Sequence, residues 1–220
     1  MARAGGILTF LMIGAVVLGT LLGMLAQQSP VMAVVAGILY LVAFALWFVV
    51  MIALKVNFAQ NGYPRGGGII WTTIALTILM VVVGIAGGIV VAGQVPQTPQ
   101  PDPMVVLRAL GIWGVIIGVM VIAMQFMFLM LGVRLSEYSA VGGGVWKGAG
   151  IVLIIAASLG LLITLIYVVT LLTEVWGLFI LAGILGVIGM LLWAVVWLLI
   201  GIGFMGDANR MAMAGGPARR

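Results

Sequence analysis

The chain has 220 residues, 65% of them hydrophobic and only 6% charged, with a net charge of +5 and a mean hydropathy of +1.43. A soluble domain carries roughly 25% charged residues, so these figures exclude one and predict an all-α integral membrane protein. Histidine and cysteine are both absent, which excludes bis-histidine haem, thiolate-bound clusters, disulfides and imidazole or thiol catalysis.

Six apolar runs are long enough to cross about 30 Å of hydrocarbon, and they pair into three helical hairpins. The first hairpin, 1–64, holds spans over 7–25 and 31–54. The second, 65–146, holds spans over 69–93 and 104–133, joined by a proline-rich loop over 94–103. The third, 147–220, holds spans over 149–172 and 176–205 and ends in a tail over 206–220. Uninterrupted runs of this length satisfy their backbone in lipid only as helices, since barrel strands would alternate in polarity. The breaks carry turn chemistry: "QQSP" (27–30), "NGYP" (61–64), "SEYSAVGGG" (136–144) and "TEVWG" (173–177).

Eight of the nine basic residues fall on alternate loops and the two ends: Arg3, Lys55, Arg65, Arg134, Lys147, Arg210, Arg219 and Arg220. Arg108 is the exception, close enough in sequence to pair with Asp102 or reach headgroups. The positive-inside rule then predicts cytoplasmic termini, in keeping with a bacterial inner membrane. The same rule accounts for the basic pI without nucleic acid as a partner, leaving membrane lipids as the anionic surface. The first span differs from a cleaved signal peptide, because Met24 stands where a small residue is expected.

A hexapeptide of basic, small, small, Gly, Ile, aliphatic recurs at the start of each hairpin: "RAGGIL" from Arg3, "RGGGII" from Arg65 and "KGAGIV" from Lys147. The returning helices carry a weaker echo in "FALWFVVMIALKVN" (44–57), "AMQFMFLMLGVRLS" (123–136) and "AVVWLLIGIGFMGD" (194–207), which aligns Trp47 with Phe126 and Trp197. Internal triplication explains the pattern, and so does abundant glycine combined with the positive-inside rule.

Small-xxx-small pairs at Gly19 and Gly23, Gly84 and Gly88, Gly114 and Gly118, and Ala156 and Gly160 put flat faces on four helices. In lipid, such faces let helices approach by van der Waals fit, within the chain or with another subunit. Gln125 is the most polar side chain deep within a span; it serves as interhelical glue or lines a pore or ligand site. Trp71, Trp146 and Trp176 are expected at the interfaces, and Trp47, Trp113, Trp193 and Trp197 deeper, where they fill space or stack on a lipid, quinone or pigment. No cofactor is required by any motif. Pro96, Pro99, Pro101 and Pro103 favour an extended segment suited to partner docking, and the basic tail is expected to be flexible and to lie on anionic headgroups.

These features predict a protein that is not an enzyme: a structural or accessory subunit packed against other membrane subunits or copies of itself. The alternative is a carrier or channel for a small neutral or apolar solute, although the spans contain no internal proline to break a helix at the midplane.

Overall fold

The computed structural model describes residues 2–25, 29–94, 103–173 and 175–214. Among them there is no strand. Six helices follow in order: α1 Ala2–Leu25, α2 Pro30–Gln60, α3 Gly67–Gln94, α4 Pro103–Gly142, α5 Gly144–Thr173 and α6 Trp176–Ala214, with a single 3-10 turn at Pro64–Gly66 before α3. Each is long and apolar enough to cross a bilayer, and the chain is an integral membrane protein. Their outward residues are as apolar as their inward ones: Leu41 and Ile89 are both 70% exposed. A helix that is hydrophobic all round belongs in lipid or against other apolar protein, not in water.

The ends are set by local chemistry. Ser29 stands extended before α2 with Pro30 in the first turn, where its missing N–H is not needed. Asn61 closes α2, and Gly62 then takes φ +73, a left-handed value that glycine adopts without strain. The turn expected over 136–144 shrinks to one residue, Gly143 at φ +84, because α4 stays helical to Gly142. Its polar residues extend the helix beyond its apolar run, with Arg134 Nη1 bonded to Glu137 Oε2 at 2.7 Å one turn on. Likewise α6 continues to Ala214, so the segment expected to begin a flexible tail is helical from 206 to 214.

Contrary to the unbroken span expected from its lack of an internal proline, α4 has a backbone break at Gly111, where φ 32 and ψ −124 lie outside the helical region. Only glycine adopts such values readily.

The helices contribute to two compact units. One comprises Met1–Ile70, Leu131–Val152 and Trp193–Arg220, and the other Trp71–Met130 and Leu153–Leu192. The first gathers all three basic hexapeptides. In it, Met12, Ala15 and Ala43 form a small core against which Leu46, Trp47 and Trp197 pack.

Candidate functional site

The polar centre of the first unit is Asp207, on α6, a carboxylate 2% exposed. Its Oδ2 accepts three hydrogen bonds: from Asn57 Nδ2 on α2 at 2.7 Å, from the Tyr138 hydroxyl on α4 at 2.8 Å and from Trp146 Nε1 on α5 at 3.1 Å. Asn57 Nδ2 also reaches the Tyr138 oxygen at 3.3 Å, and Asn61 Nδ2 donates to the Asn57 carbonyl at 2.9 Å. Asp207 Oδ1 is paired with Arg210, one turn further along α6. Four helices thus meet on one carboxylate.

Rings close the hub to solvent. Phe58 lies 4.6 Å from Tyr138, Tyr138 lies 5.3 Å from Trp146, and Trp146 lies 5.6 Å from Phe204, centroid to centroid. Three glycines make room for them. A Cβ on Gly66 would stand 2.5 Å from the Phe58 ring, one on Gly203 2.7 Å from Trp146, and one on Gly142 would collide with Tyr138 and Trp146. The first glycine of "RGGGIIW" is therefore required by the approach of an aromatic ring.

Arg210 extends the hub to the α4–α5 corner. Its guanidinium donates to the Val141 carbonyl at 2.9 Å and to the Gly142 carbonyl, groups left without partners at the end of α4. A positive charge there also opposes the negative end of the helix dipole. Beside the hub, Tyr63 donates to Glu137, which Arg134 also holds. Burial, followed by the bond to Glu137, pushes the Tyr63 phenol above its ordinary value near 10.

The residues singled out from sequence are dispersed. A Cβ on Gly19 would stand 3.4 Å from both Leu39 and Tyr40, and one on Gly23 would stand 4.0 Å from the Tyr40 hydroxyl. In the second unit, a Cβ on Gly118 would stand 2.6 Å from Val168, and one on Gly160 2.6 Å from the Gln125 amide. Ala156 is fully buried, and Gly114 is half-buried. This is a seam between α4 and α5. Gly84 and Gly88 meet no heavy atom within 4 Å among the described residues; the packing glycine of α3 is Gly87, where a Cβ would meet Trp113 at 3.2 Å.

Gln125 is buried inside α4, and its Oε1 has no hydrogen-bond partner among the described residues. Nearby in sequence, Ala123 and Met127 join Thr72, Ala75, Leu76 and Leu79 around a shallow apolar groove of about 380 Å³. Trp47 and Trp197 fill packing space against Met12, Ala15 and Ala43. Trp146, expected at the membrane interface, is fully buried in the hub. Pro96, Pro99 and Pro101, Glu174 and the expected Asp102–Arg108 pair lie outside the described residues or their side chains, as does the side chain of Pro103.

Sequence reasoning missed Asp207, Asn57 and Tyr138. The available signal was their position near the basic end of a returning helix: Asn57 follows Lys55 by two residues, Tyr138 follows Arg134 by four, and Asp207 precedes Arg210 by three. No family model, curated protein or solved structure matches the chain, which leaves these residues as the basis for its function.

Proposed function

We propose that the protein is a non-catalytic structural subunit of a larger membrane assembly, held in a bacterial inner membrane with its termini in the cytoplasm. The observation that carries this reading is the occupancy of Asp207. Three donors on other helices converge on its Oδ2, and Arg210 pairs with its Oδ1. A carboxylate so engaged fastens helices together. The glycine face at Gly84 and Gly88 adds support, since a flat surface met by no described residue suits a helix of another subunit. The apolar groove on α3 and α4 would take a lipid chain in the same setting.

Purification in mild detergent followed by native mass spectrometry tests the proposal. Stoichiometric association with other subunits, or a homo-oligomer, is expected, and deletion should lower the amount of the assembly more than the turnover of each of its catalytic centres. A strictly monomeric protein would overturn it.

Transport of a small neutral solute is favoured by two specific features: the Oε1 of Gln125, without a hydrogen-bond partner among the described residues, and the backbone break at Gly111. Saturable uptake into liposomes containing the pure protein, abolished by Gln125→Leu, would establish the carrier in place of the subunit.

A further inference from the structure

The three hydrogen-bonded side chains of the hub stand at fixed separations along the chain. Asn57 and Tyr138 are 81 residues apart, and Asn57 and Asp207 are 150 apart, while each of the three bonds the other two. The same two offsets connect Leu54 with Leu135 and Phe204, and Val50 with Leu131 and Ile200. All nine residues are 2% exposed or less.

The places on the returning helices that receive the starts of the outgoing ones fall at the same offsets. A Cβ on Gly6 of α1 would lie 3.1 Å from Met205 and 3.2 Å from the Gly201 carbonyl on α6. Gly150, which holds the same place in its hexapeptide, approaches Ser136 and the Gly132 carbonyl on α4. Ser136 and Gly132 precede Met205 and Gly201 by 69 residues, the separation of Tyr138 from Asp207. The third seat is Lys55 on α2, equivalent to Ser136 and Met205. A Cβ on Gly67, one residue before the matching place in the α3 hexapeptide, would lie 3.6 Å from it. The seats on α2 and α4 join helices consecutive in the chain. The seat of α1 on α6 joins helices from the two ends of the sequence, so chain connectivity does not account for it.

We infer that the helix ends gathered in the first unit belong to three tandem copies of one helical hairpin, arranged there cyclically about a pseudo-threefold axis that passes between Asn57, Tyr138 and Asp207. Mutual contact among three equivalent positions is what such an axis requires. It also explains why the copies differ there. Three identical carboxylates on an axis would repel one another, whereas an amide, a phenol and a carboxylate form a bonded triangle, which only a single fused chain can specify. The alignment of Phe126 with Trp47 and Trp197 is two residues out: the offsets assign that place to Phe128, which is buried, while Phe126 is 53% exposed.

The cyclic arrangement is independent of the accessory-subunit reading, and it is tested on the isolated full chain. The protein has no cysteine, so paired substitutions report single contacts. Gly6→Cys with Met205→Cys, and Lys55→Cys with Gly67→Cys, should each form an intramolecular disulfide in bilayers. A Gly6–Met205 pair that stays reduced, or links only two molecules, while Lys55–Gly67 closes would overturn the cyclic arrangement. Exchanging axial side chains tests equivalence independently. The double variant Asn57→Asp with Asp207→Asn should regain at least half of the thermal midpoint lost by Asp207→Asn alone. A double variant no more stable than the single one would overturn the shared axis.

Discussion

Asp207 shows how one residue can be misjudged when only its neighbours in sequence are known. A carboxylate just beyond a long apolar run, followed by Arg210, reads as part of a solvated tail. Its burial depends on Asn57, Tyr138 and Trp146, which lie 150, 69 and 61 residues away. No local pattern encodes those distances. Replacing Asp207 by Ala leaves the Tyr138 hydroxyl and Trp146 Nε1 without their acceptor and Asn57 with only its longer bond to Tyr138, and removal of one partner from such a cluster costs about 3–5 kcal/mol. Unfolding in mixed detergent micelles should register that loss. Arg210→Ala should cost less, about 1 kcal/mol, because the guanidinium is 43% exposed and its ion pair is partly screened. Tyr63 gives a test in pH. Its raised pKa favours the neutral phenol in the folded state, so its contribution to stability is present below the unfolded value near 10 and fades as pH rises through the folded one. Ultraviolet titration of the protein against Tyr63→Phe should reveal one phenol ionising later than a free tyrosine.

At the level of the helices, much more was legible. Composition and run length are enough to specify six spans, because each must satisfy its own backbone in lipid whatever its neighbours do. The helix ends were less legible: α4 and α6 each run nine residues past their apolar spans, held by contacts distant in sequence. Packing glycines were legible as a class but not individually, since a small-xxx-small pair marks a face without saying what it meets. Gly150 and Gly84 separate the two cases. A Cβ on Gly150 would lie 2.5 Å from the Gly132 carbonyl and 2.7 Å from the Ser136 nitrogen, backbone atoms that side-chain rotation cannot move aside. Gly150→Ala should therefore destabilise the protein by about 1–3 kcal/mol. Gly84→Ala meets open space and should be neutral or stabilising by up to about 1 kcal/mol, through helix propensity alone. Thermal unfolding of the two variants in the same detergent decides the matter, and equal losses would contradict the assigned seams.

For the molecule as a whole, the charge pattern yields a prediction of orientation. Reporters fused at Gly62, at Gly143 and after the last residue should all report cytoplasm, and one at Thr98 the opposite side. A split among the first three would require a different number of crossings. The hub carries a further consequence for how the molecule is made. Asn57, Tyr138 and Trp146 are synthesised before Asp207, their common acceptor. Until α6 is inserted they depend on water, headgroups or one another. The sixth helix is thus the one that fastens the five before it, and a chain interrupted before it would hold its first five spans in lipid with their polar donors still open. Closure of the hub therefore waits on the synthesis of α6 and cannot be completed by the first five helices alone.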